Sequence, residues 1–172
     1  MDNKISLGGW SVLRAWQPGA ISCLLAQGLS LRQAQAVAQD AMLAEVRTHN
    51  LVTTVGMQLA GDLLTGGEMV GITYHAIGTS STAPVVGNTQ LGAEVARLTL
   101  GSRVRAGTVL TFSAYYIAAQ CTYNIQEVGL FGGVAASSTA NSGRLFARIL
   151  QAYDNSAGST DLTFDYNLEV TG

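Results

Sequence analysis

The feature that most constrains the fold is a strict alternation of apolar and polar residues close to the end of the chain. Residues 162–170 read L-T-F-D-Y-N-L-E-V, in which every second side chain is apolar. Successive side chains of a β-strand point to opposite faces of its sheet, so this period of two predicts a strand with one face in a core. The residues predicted to face that core are Leu162, Phe164, Tyr166, Leu168 and Val170.

Further segments upstream carry the residue patterns of strands and are separated by turns rich in Gly, Ser and Asn. They occupy residues 72–79, 91–97, 125–131 and 143–149. Short patterned segments bounded by turn residues are typical of antiparallel two-sheet folds. We therefore predict a mainly β protein, with an antiparallel β-sandwich or jelly-roll domain over residues 68–172.

The preceding part of the chain, residues 29–67, shows helical spacing instead. An S-x-x-Q capping box that begins at Ser30 predicts the start of a first helix over 30–48. Apolar residues at helical spacing predict a second helix over 51–65, and Gly66 supplies its C-terminal stop. An N-terminal helical segment is thus expected before the β domain.

Residues 1–28 contain turn residues and both tryptophans of the chain, Trp10 and Trp16, and are predicted to be irregular. Large aromatic side chains in an irregular terminus pack either on their own domain or on a partner. Both interpretations are open at this point. The second makes the segment a tether and the tryptophans its partner anchors, so that its deletion would leave the β domain folded.

Charged residues are scarce. They make up 12% of the 172 residues, against about 25% in average soluble domains. The mean hydropathy is +0.26, which favours apolar surface covered by other subunits. The net charge is -2 with Lys4 as the only lysine, so the clustered cations that bind nucleic acid are missing. No apolar run reaches the ~20 residues that span a bilayer, and neither nucleic acid nor membrane is an expected partner.

Few residues offer catalytic or metal chemistry. Cys23 and Cys121 have no histidine or second thiol at metal-ligand spacing, which predicts buried free thiols in a reducing cytoplasm. The histidines are His49 and His75, and no G-x-S-x-G motif accompanies them. Because His75 lies within a predicted strand, a structural imidazole is expected. We predict no catalytic residue, cofactor or metal site.

Four charged residues nevertheless fall inside the apolar motifs: Glu94, Arg97, Glu127 and Arg148. Two carboxylates that face each other across a sugar would suit glycoside hydrolysis. Carboxylate and guanidinium alternate along the chain, however, which favours structural ion pairs between strands. We expect Glu127 to pair with Arg97 or Arg148 in a partly or wholly buried site.

The order of these motifs resembles a β-sandwich domain of tailed-bacteriophage virion proteins of the tail-fibre or tail type. The resemblance covers about residues 50–170, and the first 48 residues match none of its motifs. The segments that carry it are N-L-V-T-T-V-G at 50–56, I-T-Y-H-A-I-G-T at 72–79, L-G-A-E-V-A-R at 91–97, I-Q-E-V-G-L-F at 125–131 and L-F-A-R at 145–148.

This resemblance implies a non-enzymatic structural component of a phage virion, such as a tail fibre, collar, baseplate or adaptor protein. Its expected partners are further copies of itself, as a homotrimer, and other virion proteins. It would be assembled in the host bacterial cytoplasm and end in the virion. Two alternatives are a capsid decoration protein and a module that binds a host-surface receptor or glycan.

Overall fold

The computed structural model describes residues 6–171, which form a mainly β fold of two five-stranded antiparallel sheets. The mainly β class is as predicted. No helix in that range is long and apolar enough to cross a membrane. The elements in chain order are β1 Ser6–Trp16, α1 Ala20–Ala26, α2 Leu31–Val37, β2 Met42–His49, β3 Leu51–Val52, α3 Thr54–Thr65, β4 Ile72–Gly78, β5 Glu94–Thr99, β6 Ser102–Ala106, β7 Val109–Tyr116, β8 Asn124–Gly132, β9 Arg144–Asp154 and β10 Asp161–Thr171.

The two sheets are tied together by repeated crossings of the chain. Sheet A has the strand order β2-β1-β10-β7-β6, and sheet B has the order β3-β9-β8-β4-β5. The chain passes from one sheet to the other after β2, β5, β7 and β9. Neither sheet is therefore a continuous stretch of sequence, and residues far apart in the chain become neighbours.

Both sheets contribute to one apolar core. In β10, Leu162, Phe164, Tyr166 and Leu168 are buried in it, as the alternation predicts, whereas Asp165 is half-buried on the opposite face. Full burial of one such apolar side chain is worth about 1.5–3 kcal/mol. Further members are Leu13, Ala15, Ala114 and Tyr116 from sheet A and Ile77, Val128, Leu130 and Ile149 from sheet B.

The irregular tether predicted for residues 1–28 is wrong wherever the structure describes it; residues 1–5 lie outside that part. β1 lies inside sheet A and pairs with β10 along its length and with β2 on its other side. Gly9 permits this pairing instead of marking a turn, since a Cβ there would lie 1.9 Å from the Asn167 carbonyl oxygen. The core covers one face of β1 and the helices α1 and α2 cover the Trp16 end of the other, which hides its alternation.

The first predicted helix is correct only at its start. Ser30 and Gln33 form the expected capping box, but α2 ends at Val37. Residues 42–49 form β2 instead, in which half-buried Ala44 and Val46 alternate with exposed residues. Pairing of β2 with β1 thus overrides the helical propensity of this Ala-rich stretch.

The second helix, predicted over 51–65, is confirmed as α3 except at its start, because residues 51–52 form β3. The helices also do not precede the β fold as predicted, since β1, β2 and β3 all come before α3. Thr53 caps its first turn by accepting a hydrogen bond from the Gly56 amide, and Gly66 ends it with φ of 77°. Gly56 weakens the helix in isolation, but a Cβ there would lie 2.1 Å from the Phe146 carbonyl oxygen. The glycine is required where α3 crosses β9.

Candidate functional site

A polar cleft lies on the outer face of sheet A. Helices α1 and α2 cover one end of that face, where they pack around Trp16. The other end is open, and with α2 as a wall it forms a cleft of about 410 Å³. We call this site the polar cleft; its principal lining residues are Trp10, Arg14, Arg32, Gln35, Gln39, Glu45, Arg47, Thr111, Ser113, Asp165 and Asn167.

Strand register sets the floor of the polar cleft. Across β1, β10 and β7, Trp10 lies opposite Asn167, which lies opposite Thr111. Two residues before Asn167 on β10, Asp165 lies opposite Ser113 of β7. Because directly opposed residues of antiparallel strands share a face, these side chains all point out of the same side of the sheet.

Asp165 holds the centre of the polar cleft together. Its Oδ2 accepts hydrogen bonds from Arg14 Nη1 at 2.6 Å and Gln35 Nε2 at 3.0 Å, and its Oδ1 accepts one from Ser113 at 2.6 Å. Arg14 also donates through Nε to Glu45 at 2.7 Å. One guanidinium is thus shared by two carboxylates, and the network fixes the geometry of the cleft floor.

Two further cations at the polar cleft are not neutralised. Arg47 places its guanidinium carbon 4.6 Å from the centroid of the Trp10 ring. Within residues 6–171, neither Arg47 nor Arg32 has a carboxylate oxygen within 4.0 Å. Both are exposed. Sequence reasoning missed this site, because only the pairing of β1, β2, β10 and β7 brings its residues together.

The predicted partner anchors have different surroundings. Trp16 is fully buried in its own protein, where its Nε1 donates to Thr163 Oγ1 at 2.9 Å. The partner-anchor prediction is therefore wrong for Trp16. Trp10 is half-buried at the polar cleft, and for this residue the prediction stays a prediction.

The residues Glu94, Arg97, Glu127 and Arg148, which we call the charged quartet, form two ion pairs. The first joins Glu127 on β8 to Arg148 on β9, with Nε of Arg148 2.7 Å from Oε2 of Glu127. Glu127 also accepts the backbone amides of Gly92 at 3.0 Å and Ala93 at 2.7 Å. Arg148 donates further to the Thr82 carbonyl at 2.9 Å. Both side chains are almost completely buried, and together they hold loop 79–93 against the outer face of sheet B.

The second ion pair joins Glu94 and Arg97 within β5 through two hydrogen bonds of 2.7 and 2.9 Å. Arg97 also donates to the Ser142 carbonyl at 2.8 Å and lies 4.0 Å from the Phe131 ring centroid. It thereby holds the loop between β8 and β9. Each carboxylate of the quartet is occupied by an arginine, which favours a structural role over a glycosidase pair.

His75 is buried in the core beside Tyr116 and Phe164. The Tyr116 hydroxyl donates to the His75 carbonyl at 2.9 Å, so it can only accept from His75 Nδ1 at 3.1 Å. This assigns the proton to Nδ1 and leaves Nε2 without a partner among the described residues. Burial lowers the pKa of His75 to about 3.

This buried imidazole predicts a loss of stability in mild acid. A histidine in the unfolded chain binds a proton below about pH 6.5, whereas folded His75 does not until about pH 3. The contribution of neutral His75 to the stability of the folded state is therefore full above pH 6.5 and falls as the pH drops below that value. We expect about 2–3 kcal/mol less unfolding free energy at pH 4.5 than at pH 7, measured by urea denaturation. His75→Phe should flatten this dependence; an equally steep pH profile in the variant would contradict the assignment.

The cysteines and the remaining histidine belong to no metal-binding group among the described residues. Cys121 is buried, and its burial raises the pKa of the thiol to about 11. Cys23 is exposed, so the prediction of two buried thiols is wrong for Cys23, which lies on the solvent side of α1. Within the described part of the chain, no group of three His, Cys, Asp or Glu residues could hold a metal ion.

An apolar groove forms a second surface feature, between the two sheets and beside α3. Its volume is about 570 Å³, and among residues 6–171 Arg103 is the only charged residue in its lining. Leu64 of α3 lies at this groove with 88% of its surface exposed. The other principal lining residues are Leu7, Ala60, Leu63, Ile72, Leu110, Phe112, Phe146, Leu168 and Val170.

Comparisons of the chain with protein-family models, with curated proteins and with solved structures found no match.

Proposed function

We propose that this chain is a non-enzymatic structural component of a tailed-phage virion, such as a tail fibre, collar, baseplate or adaptor protein. It would assemble with copies of itself and dock on other particle proteins, after synthesis in the host bacterial cytoplasm. The ordered motifs of residues 50–170 support the phage assignment. Detection of the chain in purified particles by mass spectrometry, in several copies per particle, tests it.

The observation that carries this proposal is the use of the charged quartet. In a chain with 12% charged residues, two buried ion pairs hold the loops that cover sheet B. Buried pairs of this kind specify geometry more reliably than they add net stability. A surface of fixed shape is what repeated docking in a particle requires.

The finer fold also belongs to this proposal, as a β-sandwich of the jelly-roll kind. Its support is the common core to which both sheets contribute, together with the crossings of the chain between them. The pairing of the first strand with the last adds to this support. Sandwiches of this kind present loops at their ends while the sheets stay rigid.

Self-association is proposed to use the apolar groove, and the occupant is a second copy of this chain. Exposed Leu64 and the apolar lining make one continuous apolar area on a protein whose surface is poor in charge. Closed symmetry is the rule for homo-oligomers. Three-fold symmetry rests on the resemblance alone.

Leu64→Asp should convert the oligomer to a monomer, since it places a charge in the proposed contact. Leu64 is 88% exposed, so the substitution should change the unfolding free energy by less than about 0.5 kcal/mol. Multi-angle light scattering over a dilution series measures the assembly state. Val37→Asp, at a 64% exposed apolar residue of α2, is the matched control and should stay oligomeric. A wild-type protein that is monomeric at every concentration would exclude the contact.

A further inference from the structure

We propose that the polar cleft binds an anionic carbohydrate, a sugar that carries a carboxylate, as in uronic and sialic acids. The site lies on the outer face of sheet A, whereas the proposed contact between copies lies in the apolar groove. The inference therefore stands independently of the assembly role.

The charges of the polar cleft favour an anion. Arg14 is already neutralised by Glu45 and Asp165 at 2.7 and 2.6 Å. Arg32 on α2 and Arg47 on β2 line the same cleft and have no carboxylate partner among the described residues. Guanidinium groups match the planar geometry of a carboxylate and bind it through paired N–H donors.

Stacking orients one of these two cations. The Arg47 guanidinium lies over the Trp10 ring at 4.6 Å, an arrangement in which the ring attracts the cation through its face. The N–H groups at the edge of the guanidinium stay available to a ligand. The half-buried Trp10 also offers apolar surface to the C–H groups of a sugar ring.

The neutral groups of the polar cleft suit hydroxyl groups. Gln35 donates from its Nε2 to Asp165, so the Oε1 of Gln35 remains as an acceptor for a hydroxyl group. In the same cleft, Thr111 donates to Asn167 Oδ1 at 2.9 Å. Gln39, just after the end of α2, adds a second amide to the same wall of the cleft. The volume of about 410 Å³ falls within the range of ligand sites, about 300–1,000 Å³, and accommodates a short oligosaccharide segment.

The two carboxylates of the floor disfavour a polyanion. Glu45 and Asp165 lie within the cleft beside Arg14, so a chain of phosphates would meet negative charge on the cleft floor. Nucleic-acid binding depends on many clustered cations, which this site lacks. A ligand with one carboxylate and several hydroxyl groups fits both the charges and the amides.

Titrations with trigalacturonate and with sialyllactose test the proposal. Trp10 and Trp16 are the only tryptophans, so a two-dimensional ¹H–¹⁵N spectrum contains two indole signals. The indole signal of Trp10 should shift saturably with at least one acidic probe, whereas that of buried Trp16 should not. The methyl ester of trigalacturonate and lactose are the uncharged counterparts and should bind at least about tenfold more weakly, because a hydrogen bond to a charged group is lost.

Matched variants assign the binding to the two arginines. Arg32→Gln and Arg47→Gln should each weaken the binding of the acidic probe about tenfold or more. Arg105→Gln is the control, because Arg105 is an exposed arginine on β6 outside the cleft lining. Its affinity should equal that of the wild type. Circular dichroism confirms that each variant is folded.

Several results would overturn the proposal. Equal affinity for an acidic probe and its uncharged counterpart removes the role of the carboxylate. An equal loss in Arg105→Gln shows general charge attraction rather than a site. Tighter binding of a short oligonucleotide than of either sugar identifies a phosphate site, and no saturable shift up to millimolar concentrations of both acidic probes shows that no such site exists.

Discussion

Deletion of residues 1–28 is expected to abolish cooperative folding, because it removes β1 from the interior of sheet A. The strand pairs with β10 from Ser6 to Trp16 and with β2 on its other edge. Its loss would separate β2 from the sheet and expose the β10 edge. It also removes Leu13 and Trp16, both fully buried, and truncation of one buried tryptophan alone costs about 3–5 kcal/mol. Such losses exceed what a domain with about 5–15 kcal/mol of total stability tolerates.

Thermal unfolding followed by circular dichroism measures this effect. The deleted chain should show no cooperative transition and no dispersed amide signals in its NMR spectrum. Trp10→Ala is the matched control, since Trp10 is half-buried on the outer face of the sheet and its loss should leave the cooperative transition in place. A sharp transition in the deleted chain would show that β1 is dispensable and would restore the tether interpretation.

Replacement of Glu127 by alanine should lower the free energy of unfolding by about 3–5 kcal/mol. The variant leaves the Arg148 guanidinium, which is 3% exposed, buried without its counter-charge. It also removes the acceptor of the Gly92 and Ala93 amides, which are 3.0 and 2.7 Å from the carboxylate. The loss of stability should be concentrated in loop 79–93, because the attachment of this loop to sheet B depends on these contacts.

Urea denaturation and hydrogen exchange report the two parts of this effect separately. The midpoint of unfolding should fall, and the amides of Gly92 and Ala93 should lose their protection. Glu45→Ala is the control, because Glu45 is an ion-pair partner of Arg14 that is 45% exposed, and its loss should cost about 0–1 kcal/mol. Equal stabilities of Glu127→Ala and the wild type would remove the structural role assigned to the pair.

The strands that the sequence predicts are those in which one face is buried and the other is exposed to solvent. β10 is the clearest case, since Phe164 and Tyr166 face the core while Asp165 faces the polar cleft. β1 lacks this contrast, because the core covers one face and α1–α2 cover part of the other. Its Val12 and Leu13 are both buried, so the period of two disappears from the pattern.

The functional surfaces show a second limit of sequence reasoning. Residue types alone marked Glu127 and Arg148 as candidates for an ion pair, but the choice of partner follows from strand register. Arg148 lies opposite Gly129, two positions from Glu127 on the same strand, which brings the two side chains together diagonally. No single segment of the sequence indicates the polar cleft. Trp10 and Asp165 are 155 positions apart in sequence and share a face only through pairing of β1 with β10.

The proposed structural role implies that intact tailed-phage particles contain this chain, and electron cryomicroscopy of such particles tests it most directly. We expect density for several symmetry-related copies, each with both sheets resolved and with Leu64 and the apolar groove covered by a neighbouring copy. The polar cleft should stay open to solvent in that density. Particles that lack the protein altogether, or that hold isolated copies with an uncovered apolar groove, would contradict the account.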